Sequence, residues 1–170
     1  MTPYKTFLLA LATVALIIDI LTKDMVVQSM ALYESIEVIP GILNFTYIRN
    51  MGVAFGLFSE YNAAMVLSAI SGIAIIFLSY LFHSTGEDKK LELLGIALII
   101  SGAAGNLIDR IQMQGVIDFI DVFWKEHHWP AFNVADSAIT IGMAVFIYSL
   151  LTTKEEPTPK KTEDEEDPFT

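Results

Sequence analysis

The sequence predicts a mainly α-helical integral membrane protein with four transmembrane helices, a small β-sheet on the outer side and an interfacial amphipathic segment. Hydrophobic residues make up 54% of the 170 residues and charged residues only 18%. Soluble domains carry about 45–50% apolar and about 25% charged residues. Four apolar stretches approach the roughly 20 residues that cross a bilayer. None of them shows the polar stripe at helical spacing that is typical of surface helices in soluble proteins.

The four predicted spans are residues 7–21, 62–82, 91–108 and 137–153. The second and fourth spans contain no charged residue, and the third contains only Glu92. The first span is not followed by the small-residue cleavage pattern of a secretory signal peptide, so it is predicted to be a retained helix. Buried helices of a soluble bundle are the alternative, but four such runs in one short chain leave too little polar surface for a soluble protein.

Four spans place both termini on the same side of the membrane. The proposed inner segments contain six lysines, and the proposed outer segments contain four basic residues. The positive-inside rule therefore favours cytoplasmic termini. The stronger part of this signal is the short loop between the second and third spans, which holds Lys89 and Lys90.

Residues 24–61 are predicted to form a small sheet that rests on the outer membrane surface. Apolar and polar side chains alternate over residues 43–48, as in a strand with one apolar face. Pro40-Gly41 is typical of a turn, which makes residues 35–39 the predicted hairpin partner. The following residues, 50–56, are predicted to form a tight loop with glycines.

The second outer segment, residues 109–130, is rich in aromatic side chains, which favour the bilayer interface. A short amphipathic piece over residues 116–124 is predicted to lie on the membrane. His127 and His128 are adjacent and lack the spacing of helix-borne zinc sites. No metal or other cofactor is therefore predicted, and both histidines are interpreted as interfacial.

The net charge of −10 consists of −4 in residues 152–170 and −6 in the rest of the chain. Residues 152–170 hold seven acidic residues and three lysines, together with three prolines and few apolar residues. This composition predicts a disordered acidic cytoplasmic tail beyond a membrane domain of residues 1–151. The acidic balance argues against a nucleic-acid partner, because phosphate binding needs a basic surface. The absence of cysteine excludes disulfides and thiol nucleophiles.

Polar and ionisable residues collect at the predicted outer ends of the spans. A charge at the bilayer centre costs about 2.5–3.5 kcal/mol on insertion scales, so a cluster near the membrane indicates a site. The group consists of Asp19, Lys23, Arg49, Asn50, Asn106, Asp109, Arg110, Asp118, Asn133 and Asp136.

Several members also have an ordinary structural explanation. Asp19 and Lys23 are spaced as an exposed helical ion pair, worth only about 0.3–0.5 kcal/mol. An ion pair at a helix end would explain Asp109 and Arg110, and the helix dipole would favour Asp136 in a first turn. Asp118 and Asp121 would then be acidic residues of a solvated outer loop.

Carboxylate chemistry is what remains, since there is no cysteine, no serine nucleophile motif and no convincing metal-binding set. Two aspartates held close together cannot easily both ionise, so they share a proton. The ionised partner can then take a proton from water while the protonated partner donates one. Asp118 and Asp136 are suitable, but periodicity does not choose them over Asp19 or Asp109.

Five motifs then occur in order along the chain: Asp19-x-x-Thr22-Lys23, Arg49-Asn50-x-Gly52-x-Ala54-Phe55, Gly102-x-x-Gly105-Asn106-Leu107-x-Asp109-Arg110, Gly115-Val116-x-Asp118-Phe119 and Phe132-Asn133-x-Ala135-Asp136. This pattern closely resembles the bacterial lipoprotein signal peptidases (signal peptidase II). The resemblance covers residues 7–151 and not the tail. The chain departs from the family at residues 101–104, Ser-Gly-Ala-Ala, where the family often has a Gly-Gly pair.

The resemblance implies an inner-membrane aspartic endopeptidase with its site at the periplasmic face. Such enzymes cut prolipoproteins before a cysteine that carries diacylglycerol, so the partners are these substrates and membrane lipid, and a monomer is expected. The implied catalytic residues are Asp118 and Asp136. The implied substrate-binding or supporting residues are Asp19, Lys23, Asn50, Gly52, Asn106, Asp109, Arg110 and Asn133.

Two other classes of protein remain open at this point. A small proton-coupled transporter would also hold intramembrane carboxylates, but it would place them near the midplane of the membrane. A structural subunit would use the charges at its helix ends only as anchors.

Overall fold

A computed structural model describes residues 2–52 and 60–152 of the chain. Four long helices dominate this part: α1 (Pro3–Ser29), α2 (Glu60–Ser84), α3 (Lys90–Met113) and α4 (Val134–Thr152). In each of the four, the length and composition suffice to cross a membrane. The predicted four-span architecture is therefore confirmed. Residues 53–56 of the predicted glycine loop and the tail from residue 153 lie outside the described residues.

Two helices extend further toward the sheet than their apolar runs predict. α1 continues eight residues past residue 21, and α3 continues five residues past residue 108. The added turns carry Lys23 and Asp109, which are buried against each other. Because these charges are paired inside the protein, the helices need not end where the apolar sequence ends.

α3 is the central helix, and it packs against the other three. Glycines allow α3 and α4 to approach closely: a Cβ on Gly95 would lie 2.7 Å from the Gly142 carbonyl oxygen, and one on Gly142 would lie 2.8 Å from that of Gly95. Small residues at such crossings are typical of membrane helices, whose association depends on close packing. Toward the end of the bundle that lies away from the sheet, a buried cluster of Leu8, Phe82 and Ile96 joins α1, α2 and α3.

The extramembrane part is one antiparallel arrangement of four strands in the order β1 (Ser35–Ile39), β2 (Leu43–Asn50), β3 (Val116–Trp124) and β4 (His127–His128). The predicted hairpin of β1 and β2 is confirmed, with Gly41 in its turn at a φ of +75°.

Residues 116–124 were predicted to form a separate amphipathic piece on the membrane surface, and this prediction is wrong. They form a strand within the sheet. β3 pairs with β2, and its first four residues are buried. Pairing with β3 satisfies the backbone groups that β2 would otherwise leave open at its edge. This strand carries Asp118 into the protein interior.

The two ends of the helical bundle are distinct. At one end, Lys5 Nζ donates to the His83 carbonyl oxygen at 2.9 Å, and Tyr4 Oη donates to that of Lys90 at 3.2 Å. The start of α1, the end of α2 and the start of α3 therefore meet there. The end of α1, the end of α3, the start of α4 and the sheet meet at the opposite end, where the predicted site residues lie.

Candidate active site

Asn133 lies at the centre of the candidate site and is fully buried. It immediately precedes α4, and its Nδ2 donates to Asp118 Oδ1 at 2.8 Å. Its Oδ1 accepts the backbone N–H of Asp136 at 2.8 Å, and its own N–H donates to Asp136 Oδ2 at 3.2 Å. A single asparagine thus contacts both aspartates of the suggested pair.

Asp136 and Asn133 form a reciprocal capping arrangement at the start of α4. Each side chain accepts the other residue's backbone N–H, which satisfies helix donors that have no intrahelical partner. The second oxygen of Asp136, Oδ1, accepts Nδ2 of Asn106 at 2.8 Å. Asp136 is therefore in the first turn, as the dipole explanation requires, but it is also held by a side chain from α3.

Asp118 lies on β3 and is 3% exposed. Asn50 Nδ2 donates to its Oδ2 at 2.9 Å, so one amide from β2 and one from Asn133 hold its two oxygens. The pKa of Asp118 is raised to about 6, chiefly by burial and also by the nearby Asp136 charge, against the lowering effect of the two amides. This carboxyl therefore keeps its proton far more readily than an ordinary aspartate does.

Lys23 reaches the same region from α1. Its Nζ lies 2.8 Å from Asp19 Oδ2 and 2.8 Å from Asp109 Oδ2, and it donates to Asn106 Oδ1 at 3.1 Å. The side chains of Asp19 and Lys23 are only 2% and 3% exposed. The explanation as an exposed helical pair is therefore wrong, and Asp109 pairs with Lys23.

Arg110 and Gly52 border the site on other sides. Arg110 Nη1 donates to the Asn106 carbonyl oxygen at 3.4 Å and to Ser71 Oγ at 3.5 Å. The backbone N–H of Gly52 donates to Asn50 Oδ1 at 2.9 Å, with a φ of +68° that favours glycine. This contact orients the Asn50 amide so that its Nδ2 faces Asp118.

Ser71 on α2 and the backbone N–H groups of Ile117 and Ala135 are partners that the sequence analysis missed. Ile117 N donates to Asp109 Oδ2 at 3.1 Å, and Ala135 N donates to Asp19 Oδ1 at 2.8 Å. A backbone donor carries no residue-type signal, and Ser71 is one of several serines in an apolar run, so no pattern in one sequence identifies them.

Asp121 lies further along β3, outside this site, and it is buried. Asn44 Nδ2 donates to its Oδ2 at 3.0 Å, and His128 Nδ1 lies 2.8 Å from its Oδ1. The explanation of Asp118 and Asp121 as solvated loop acids is therefore wrong. His128 also stacks on Phe123, with the ring centroids 5.0 Å apart.

A cleft of about 540 Å³ opens beside the start of α4 and exposes one side of Asp136. Its lining includes Trp129, Phe132 and Thr140 and is mostly apolar. This volume falls in the range of ordinary ligand pockets, about 300–1,000 Å³. Asp136 lines this cleft, so a ligand in the cleft can contact its carboxylate.

Comparison with known proteins decides the family. A family model described as signal peptidase (SPase) II matches residues 11–152. The chain belongs to the signal peptidase II family. Curated relatives named lipoprotein signal peptidase include one from Geobacter metallireducens, 44% identical over 87% of this chain and 91% of its own length. Another, from Haemophilus influenzae, is 39% identical over 81% of each chain.

Solved structures agree with this assignment. One described as a bacterial membrane enzyme, obtained by the in meso method at 1.9 Å resolution, has a TM-score of 0.80 and 35% identity over 88% of this chain and 95% of its own. A second, at 2.3 Å resolution, has a TM-score of 0.78 and 34% identity over 90% and 94%. The protein is thus a multi-pass membrane protein and a peptidase, which decides against both the transporter and the structural subunit.

Proposed function

We propose that this chain removes signal peptides from prolipoproteins, cutting before a cysteine that carries diacylglycerol. The relatives' name, lipoprotein signal peptidase, supports the substrate class. The position of the candidate site supports the lipid preference, because the site lies where the helical bundle meets the sheet. A cysteine with two acyl chains stays in the bilayer, so a site at this level reaches the scissile bond without extracting the substrate.

We further propose that Asp118 and Asp136 form the catalytic pair. The observation that carries this proposal is the shared contact with Asn133, which donates to both carboxyl groups and is fully buried. The other aspartates at this end, Asp19 and Asp109, are ion-paired with Lys23. Both carboxylates are therefore held by the same ammonium group, which leaves Asp118 and Asp136 as the pair available for proton transfer.

We assign the general acid role to Asp118 and the general base role to Asp136, and the raised pKa of Asp118 supports this assignment. Asp118 keeps its proton and donates it to the carbonyl oxygen of the scissile bond, while the ionised Asp136 takes a proton from the attacking water. The water oxygen bonds to the carbonyl carbon, and the tetrahedral intermediate then breaks its C–N bond. Asp136 passes its proton to the departing amine of the cysteine residue, and Asp118 recovers its own from the collapsing hydroxyl.

The remaining polar residues support this chemistry in two groups. Asn106 and Asn133 orient the carboxyl groups through the amide contacts already described. Asn50, with Gly52 behind it, and Arg110 offer donors toward the substrate backbone and toward negative charge that develops on the carbonyl oxygen. All of these residues come from one chain, which supports a monomeric enzyme.

We propose that both termini are cytoplasmic and that the site faces the periplasm across the inner membrane. Lys5, Lys89 and Lys90 lie at the end of the bundle opposite the site, in agreement with the positive-inside rule. The membrane domain of residues 1–151 contains every proposed site residue, and residues 152–170 would then form the acidic cytoplasmic tail.

The test of the substrate class is cleavage by the purified protein in nonionic detergent. Two versions of one synthetic prolipoprotein peptide are compared, one with a diacylglyceryl cysteine and one with an unmodified cysteine, and mass spectrometry identifies the products. We expect the lipidated peptide to be cut before its cysteine and the unmodified peptide to remain intact. Equal cleavage of both peptides, or cleavage at another bond, would contradict the proposal.

A further inference from the structure

The backbone just before each proposed catalytic aspartate is held by another carboxylate. Ile117 N donates to Asp109 Oδ2 at 3.1 Å, one residue before Asp118. Ala135 N donates to Asp19 Oδ1 at 2.8 Å, one residue before Asp136. Both contacts are buried. Each contact fixes the peptide unit from which the next side chain projects.

A single ammonium group joins these two carboxylates. Lys23 Nζ lies 2.8 Å from an oxygen of Asp19 and 2.8 Å from an oxygen of Asp109. The chain of contacts therefore runs from β3 through Asp109, Lys23 and Asp19 to the start of α4.

Gly105 of α3 leaves room for this connection. Asp19 is on α1, and its hydrogen-bond partner Ala135 is on α4. The Asp19 carboxylate lies against α3 at Gly105. A Cβ at Gly105 would collide with Asp19 Oδ2 and would lie 3.3 Å from the Cβ of Ala135. A larger side chain would push the carboxylate away from the start of α4.

We propose that Asp19, Lys23 and Asp109 form a clamp, the Lys23 clamp, that fixes the separation of Asp118 and Asp136. These three are positioning residues, since they act on the reacting groups through the backbone at residues 117 and 135. The proposal rests on the proposed catalytic pair. Burying charged groups is unfavourable unless their pairing is close, and the close pairing of these three holds the backbone before each proposed catalytic aspartate in place.

Two substitutions at each aspartate separate the effect of the hydrogen bond to the backbone from the effect of the carboxylate charge. Asp109→Asn and Asp19→Asn remove the charge but keep an oxygen that accepts the backbone N–H. Asp109→Leu and Asp19→Leu remove both and keep the number and branching of the side-chain heavy atoms. Asp24→Leu is the matched control, because Asp24 is an exposed residue of the same helix that bonds only to Gln28 among the described contacts.

The first readout is kcat and KM on the lipidated peptide, expressed per folded molecule as measured by gel filtration and circular dichroism. We expect the leucine variants to lose about 100-fold in kcat, the typical effect of a misplacement of about 1 Å, with KM unchanged. The asparagine variants should keep at least ten times the kcat of the leucine variants. Equal kcat per folded molecule in the two series would overturn the proposal, because a merely structural role changes only the folded fraction.

The second readout does not depend on activity. Hydrogen exchange at the Ile117 and Ala135 amides should be faster in the corresponding leucine variant than in the asparagine variant. Equal exchange in both variants would overturn the clamp. If the wild-type protein cuts no lipidated peptide, the proposed function fails, and this exchange measurement still decides whether the backbone is held as proposed.

Discussion

Replacement of Lys23 by methionine should strongly destabilise the protein. The change keeps the length of the side chain and removes the ammonium group. Asp19 and Asp109 each lie 2.8 Å from that group and are almost fully buried. Removing one partner of a buried ion pair leaves an uncompensated charge and costs about 3–5 kcal/mol. We therefore expect Lys23→Met to lower the free energy of unfolding by this amount.

Lys5 offers a matched control on the same helix. Its Nζ donates to one carbonyl oxygen, that of His83, at 2.9 Å, and its removal strands no buried carboxylate. Lys5→Met should therefore cost only about 1.5–3 kcal/mol, the contribution of one hydrogen bond from a charged group. Both costs are measured by reversible unfolding in mixed micelles of nonionic detergent and dodecyl sulfate, followed by tryptophan fluorescence.

A compensated variant tests the cause. Adding Asp19→Asn and Asp109→Asn to Lys23→Met removes the stranded charges, so the triple variant should recover part of the lost stability. A Lys23→Met variant that costs no more than Lys5→Met would refute the reasoning. A triple variant less stable than Lys23→Met alone would refute it as well.

Two further predictions concern helix packing and pH. Gly102→Ala should lower the free energy of unfolding by about 1–3 kcal/mol, because the added Cβ would collide with the Ala135 carbonyl oxygen. Gly72→Ala is the control, since no atom lies within 4 Å of its added Cβ. It should be neutral or slightly stabilising in the same unfolding assay. Because Asp118 must hold a proton and its pKa is about 6, kcat/KM should fall as the pH rises through about 6. Asn50→Ala removes an amide that lowers this pKa, so the midpoint of the fall should move to higher pH, whereas Asn44→Ala should leave it in place; an unmoved midpoint in Asn50→Ala would contradict the assignment.

The membrane architecture could be predicted because it depends on the length and apolar content of continuous runs of residues. The β1–β2 hairpin was also readable, since the alternation over residues 43–48 and the turn at Gly41 are local signals. β3 was misinterpreted because its first four residues are all buried, Asp118 among them. A strand that is buried on both faces does not show the apolar–polar alternation of a half-buried strand. Its partner β2 is also distant in sequence, since Asn50 and Asp118 are 68 positions apart.

The candidate site shows the same limit. Residue type and position near the span ends identified the group of polar residues, and the ordered motifs indicated the family. The pairing within the group was not readable from periodicity, since Asp19 contacts Ala135 across 116 positions and Lys23 contacts Asn106 across 83. Only the packing of α1, α3 and α4 around one another brings such residues together.

The most direct test of the account is the rate at which single and double variants of the proposed catalytic pair cut the lipidated peptide. Asp118→Asn and Asp136→Asn should each lower kcat by about 10²–10⁴-fold. The double variant should show about the same residual rate, because the two residues act as one unit. Asp121→Asn, a buried aspartate on the same strand outside the site, should keep the wild-type kcat. Wild-type kcat in either single variant would contradict the catalytic pair.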